Sequence, residues 1–130
     1  MMAKTDVSRE TILVVDDEPA VRSLVRSILA AQGYRVVEAE DADAARHLAG
    51  EGSRAIDLLL TDMVMPGVSG TALARELMTT RPDLKVLFMS GFADPTRFGA
   101  DRLEHGSHFL QKPFKPATLT AKVREVLGST

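Results

Sequence analysis

The chain has 130 residues, a formal net charge of −2, 26% charged residues of both signs and no cysteine. That length suits one ordinary domain with a real core and leaves no room for a second folded domain. The balanced charge, without a basic stripe, argues against coating nucleic acid or an acidic membrane surface, and the missing cysteines exclude disulfide or thiolate chemistry.

The first ten residues are polar and lack the apolar stretch of a signal peptide, and no apolar run approaches the roughly 18 residues of a membrane span. The expectation is a soluble, cytoplasmic domain over residues 11–127, with a flexible segment at 1–10 and a disordered tail at 128–130. Thr11 to Val15 reads as the first strand. Pro19 then opens a helix whose apolar face is Val21, Leu24, Val25, Ile28 and Leu29, closed by Gly33. Arg35 to Glu38 is a short second strand. Asp41 caps a helix carrying Ala44, Ala45 and Leu48 that stops at Gly50 or Gly52. Asp57 to Thr61 is the third strand, and a Pro- and Gly-bearing loop leads to a helix from Thr71 to the Arg81-Pro82 pair. Lys85 to Met89 is the fourth strand. Residues 94–106 give a short or frayed helix of low local stability, interrupted by Pro95 and Gly99, before a fifth strand at Ser107 to Leu110 and a closing helix from Pro116 to Leu127.

Strands alternating with helices predict an α/β fold. It is the doubly wound (βα)5 arrangement, a five-stranded parallel sheet in the order 2-1-3-4-5 with helices on both faces. Ligands bind outside the carboxyl ends of such strands. Asp16 and Asp17 follow the first strand, Asp62 the third, Ser90 the fourth and Lys112 the fifth. Adjacent strands bring these residues together. Like charges gathered at a sheet edge call for a cation, and oxygen donors without clustered His or Cys favour Mg2+, or Mn2+, over zinc. Asp16 and Asp17 could form a helix-capping pair, yet two adjacent acids cannot both cap. A carboxylate beside such an ion, here Asp62, can attack an electrophilic phosphorus, with the Lys112 ammonium neutralising the transferring oxygens. The bond before Pro113 could be cis and would then aim Lys112 inward. The Ser90 hydroxyl can donate to a new dianion, and so report phosphorylation.

The stretches Ile12-Leu13-Val14-Val15-Asp16-Asp17-Glu18, Thr61-Asp62-Met63-Val64-Met65-Pro66-Gly67 with Gly70, Met89-Ser90-Gly91 and Phe109-Leu110-Gln111-Lys112-Pro113-Phe114 together resemble a response-regulator receiver domain of two-component signalling. The resemblance covers Thr11 to about Leu127. It implies that Asp62 accepts phosphate from a phosphohistidine on a histidine kinase or histidine phosphotransfer protein. The domain would catalyse its own phosphorylation and a slow autodephosphorylation without being an enzyme in the ordinary sense. Asp17, Asp62 and the Val64 carbonyl would ligate magnesium, with Asp16 reaching it mainly through water. Lys112 would bind the phosphate. Ser90 and Phe109 would form the switch that alters a face for a downstream protein target, made by the fourth helix, fifth strand and fifth helix.

Phe109 lacks a hydroxyl, so its switching must rest on packing. Val64 and Phe92 flank the pocket where the resemblance locates control of acyl-phosphate hydrolysis, and neither can orient a water. A long-lived phosphorylated state is therefore expected. Arg22 and Arg26 read as a solvated face and a minor docking candidate, and His47, His105 and His108 have no partner at ligand spacing. The resemblance extends both to stand-alone regulators and to receivers of hybrid sensor kinases, as a monomer or a phosphorylation-dependent dimer that does not itself bind nucleic acid. The competing reading is a phosphorylation-independent protein-interaction module. A haloacid-dehalogenase-like phosphatase would place its acids two positions apart after the first strand, and no glycine-rich nucleotide motif follows that strand.

Overall fold

Alternation of side chains along each strand, with apolar residues on both faces, is the physical basis of the architecture. The structure is a computed structural model that describes residues 10–50, 55–91 and 108–128. Its strands are β1 (Thr11–Val15), β2 (Arg35–Ala39), β3 (Leu58–Asp62), β4 (Lys85–Ser90) and β5 (His108–Gln111). They form one sheet, parallel throughout, in the order β2-β1-β3-β4-β5, as the sequence predicts. Four helices are described: α1 (Pro19–Ala31), α2 (Ala42–Ala49), α3 (Gly70–Thr80) and α4 (Pro116–Gly128). The helix expected within 94–106 lies outside the described residues, as do Phe92 and His105.

Each face of the sheet has its own core. Ile12, Val14, Leu58, Leu60, Leu87, Met89 and Leu110 pack with Val25 and Leu29 of α1 and Leu119, Val123 and Val126 of α4. On the opposite face Leu13, Val15, Leu59, Val86 and Phe88 pack with the alanines of α2 and with Leu73, Ala74 and Leu77 of α3. The small residues Ala42, Ala45 and Ala49 make α2 helical with little bulk toward the sheet.

Several boundaries shift for local reasons. The third strand runs from Leu58 to Asp62, one residue later than expected, because Asp57 holds the start of β1: its Oδ2 accepts the Thr11 N–H at 2.8 Å. The third helix begins at Gly70, before Thr71, because the Ser69 hydroxyl accepts the Ala72 N–H at 3.1 Å and serves as the cap. Asp41 caps α2 as expected, accepting from Ala44 N at 2.9 Å, and α2 closes at Gly50, the first of the two expected stops. α1 starts at Pro19 with Glu18 as its N-cap residue, without a side-chain bond, and Gly33 follows at φ 96°. The fourth strand extends to Ser90, and the fifth ends at Gln111. The closing helix carries Gly128, which the sequence reading puts in the tail; the last turn is held by buried Val126.

Leu60 is fully buried at the centre of the sheet. Leu60→Ala is expected to destabilise the domain by about 3 kcal/mol, read as a lower urea midpoint with an unchanged slope.

Candidate functional site

Strand parity decides which residues can meet. Asp62 continues the Leu58 and Leu60 face of β3, and Lys112 and Asp16 continue the same face beyond β5 and β1. Asp16, Asp17 and Asp62 each offer a carboxylate oxygen, and these oxygens all lie within 4.8 Å of one another. The ammonium of Lys112 sits 2.8 Å from Asp16 Oδ2, 3.2 Å from Asp62 Oδ2 and 3.8 Å from Glu18 Oε1. The predicted cluster of three acids and one lysine is therefore assembled, and the Lys112-Pro113 bond is cis.

Asp16 has no exposed surface, and its groups are bonded on every side. Its Oδ1 accepts from Glu18 N at 2.9 Å, its Oδ2 from Lys112, and its N–H donates to the Ala39 carbonyl at 3.2 Å. This is how a buried carboxylate is tolerated. Asp17 differs: it is exposed and open to a ligand. Asp62 is nearly buried, with Oδ1 accepting from Val64 N at 3.3 Å and Oδ2 facing Lys112. Its carbonyl accepts the Thr61 hydroxyl at 3.0 Å.

Burial pushes the Asp62 carboxyl above its ordinary value; the Asp16 charge adds to this, against the opposing pull of Lys112 and the Val64 N–H. For Lys112 the largest influence, burial, would lower the ammonium, but the bonds and charges of Asp16 and Asp62 outweigh it and hold its pKa above the ordinary value. The lysine is thus committed to Asp16 first. Asp62 receives only part of its charge.

Phe109 lies on the other face. Ser90 ends β4 and is buried, and Phe109 is half-buried against the core shared with α2 and α3. Phe88 and Phe109 are paired across β4 and β5, with ring centroids 5.7 Å apart at 35°. The Ser90 carbonyl accepts the Lys112 N–H at 2.8 Å, so one backbone hydrogen bond joins the end of β4 to the lysine. Val64 is 48% exposed, and His47 is exposed.

Two residues were not recognisable as site residues from the sequence, and a third stood in the receiver-like stretch after Gly67 without a structural reason. Arg22 is not a solvated docking arginine. Its Nη1 donates to the Asp16 carbonyl at 2.6 Å, and its side chain is 16% exposed. Glu38, from β2, holds both Arg22, at 3.5 Å, and Arg26, at 2.8 Å. The third is Gly70, where an added Cβ would lie 2.0 Å from the Asp62 carbonyl oxygen. A glycine is required there by close approach of the backbone. The first helix's basic pair offered only a faint signal of this, since Arg22 stands six residues after Asp16 and long helical side chains reach toward the N-terminus.

A family model for the response regulator receiver domain matches residues 12–124. The chain is similar to the sensor kinase CckA of Brucella abortus, 37% identical over 95% of this chain and 13% of that protein. It is also similar to the phosphate regulon transcriptional regulatory protein PhoB of Pseudomonas aeruginosa, 36% identical over 93% of this chain and 53% of that protein. The chain thus spans about half, or much less, of these curated relatives. Among solved structures it resembles the response regulator protein TrrA of Thermotoga maritima in complex with Mg(2+)-BeF. The TM-score is 0.75 at 30% identity, covering 90% of this chain and 98% of that one.

The raised Asp62 pKa carries a sign. A carboxyl whose folded value exceeds its unfolded value costs stability while ionised, and the cost is relieved as pH falls through the folded value. Asp62→Asn is therefore expected to raise the melting temperature of metal-free protein at neutral pH by roughly 3 °C, with the gap to wild type narrowing on acidification. A thermal melt series across pH checks both.

Proposed function

The chain belongs to the response regulator receiver domain family, and from that premise we propose that Asp62 is its phosphoacceptor and that the domain acts as a phosphorylation-controlled switch in a two-component phosphorelay. The observation that carries this reading is the Lys112 ammonium within bonding distance of both Asp16 and Asp62. Receiver domains take their phosphoryl groups from histidine kinases or phosphotransfer proteins. A carboxylate oxygen of Asp62 attacks the phosphorus of a phosphohistidine, the P–N bond breaks as the P–O bond forms, and the imidazole nitrogen leaves and takes a proton.

The donor set fits a hard divalent cation, because the clustered oxygens are all carboxylate. Asp17, Asp62 and the Val64 carbonyl would hold Mg2+, or Mn2+, with Asp16, both of whose oxygens are already bonded, acting through water. The TrrA complex contains Mg(2+), which supports that choice. Bound there, the ion supplies charge neutralisation for the transferring oxygens. Lys112 keeps one oxygen of the phosphoryl group paired, and Ser90 donates a hydrogen bond to another. Its movement and the packing of Phe109 alter the face read by a downstream protein target.

Beside Lys112 an open cavity of about 430 Å³ is lined by Val21, Leu24, Gly91, Pro113 and Phe114, and Leu24 is 49% exposed. An apolar surface that touches the phosphate-binding lysine suits docking of the phosphohistidine-bearing helix of the kinase or phosphotransfer partner. The contacts fall on Val21 and Leu24 in place of Arg22 and Arg26, which are engaged by Glu38. Among the described residues no helix is long and apolar enough to cross a membrane, and the reading locates the domain in the cytoplasm, as a separate regulator or as the receiver of a hybrid sensor kinase.

Intact mass after incubation with acetyl phosphate is expected to show one added phosphoryl group, dependent on Mg2+ and absent in Asp62→Asn. No adduct, with a donor active on another receiver, would favour the phosphorylation-independent interaction module. The apolar Val64 side chain cannot orient a water at the pocket mouth. Phosphorylated wild type is therefore expected to keep its label several-fold longer than Val64→Glu, as followed by loss of radioactive phosphate.

A further inference from the structure

Arg22 occupies the first turn of α1, and its guanidinium turns back to the loop it has just left. Nη1 donates to the Asp16 carbonyl at 2.6 Å, while Nε stands 3.5 Å from Glu38 Oε1 on β2. The Asp16 N–H is fixed to the same strand through the Ala39 carbonyl, at 3.2 Å. The carbonyl that Arg22 holds belongs to the peptide joining Asp16 to Asp17. Asp17 is exposed, so its carboxylate is placed chiefly by that peptide.

From this geometry we infer that Arg22 is a positioning residue for metal binding. It fixes the Asp16-Asp17 peptide against β2 and so holds the Asp17 carboxylate within reach of the oxygens of Asp16 and Asp62. The inference rests on the reading of the acidic cluster as a Mg2+ site. Outer partners that orient metal ligands typically change affinity by about 10–100-fold when removed. Charge alone makes the opposite demand. A guanidinium bonded to the Asp16 carbonyl, next to the acidic cluster, opposes a divalent cation, so deleting its charge without any loss of positioning would tighten Mg2+ binding. The two roles therefore differ in sign.

The test is calorimetric Mg2+ titration of the metal-free domain, with amide chemical shifts of Asp17, Asp62 and Val64 recorded alongside, for wild type, Arg22→Gln, Arg22→Lys and Arg26→Gln. Arg22→Gln is expected to raise the Mg2+ Kd about tenfold. Arg22→Lys retains the charge but loses the fork that reaches both Asp16 and Glu38, and is expected to weaken binding in the same direction. Arg26→Gln removes an equal charge from the same Glu38 without touching Asp16 and should leave the Kd within about twofold of wild type. Wild-type affinity or tighter binding in Arg22→Gln overturns the inference. If that variant fails to show a wild-type amide spectrum, unchanged affinity in Arg22→Lys overturns it instead. Wild type that takes up no Mg2+ refutes the metal site itself, and the inference with it.

Discussion

A carboxylate with no exposed surface governs one end of this molecule. Burying Asp16 is costly unless every polar atom around it is bonded, and the chain meets that demand from four places: β2 through the Ala39 carbonyl, the start of α1 through the Glu18 N–H, α1 itself through Arg22, and the segment after β5 through Lys112. The same bonds that satisfy Asp16 fix the loop after β1 and draw the lysine across two intervening strands. Asp62, one strand away, then meets an ammonium already in place.

That order of commitment explains the charge balance. One lysine between two buried acids leaves a negative excess, and the exposed Asp17 adds to it. The excess is unfavourable to the bare fold and favourable to a hard cation or a cation-bearing phosphoryl donor. Part of the stability that better-compensated residues would confer is given up for binding capacity.

The sheet order and the meeting of Asp16, Asp17, Asp62 and Lys112 were legible because both follow from strand-length apolar runs and from what stands immediately after them. Element ends were less so, since side chains such as Asp57 and Ser69 settle them by bonding backbone far from, or just beyond, their own element. The roles of Arg22, Glu38 and Gly70 were illegible for a different reason. Each acts on a backbone carbonyl or through a partner distant in sequence, and neither an arginine on an amphipathic helix nor a glycine in a loop announces such a contact. The cis bond before Pro113 was open on sequence alone, because proline permits both isomers.

Parity along the strands has a further consequence. Asp62 and Lys112 share a side of the sheet with α1 and α4, whereas Phe109, Val86 and Phe88 look toward α2 and α3. On the proposed reading, acceptance of a group and the packing that reports it occupy separate compartments, which meet at the end of β4 in Ser90, whose carbonyl accepts the Lys112 N–H. Sequence drift in one compartment need not disturb the other. Such a fold can be retargeted to new listeners by repacking one side while its chemistry is inherited intact.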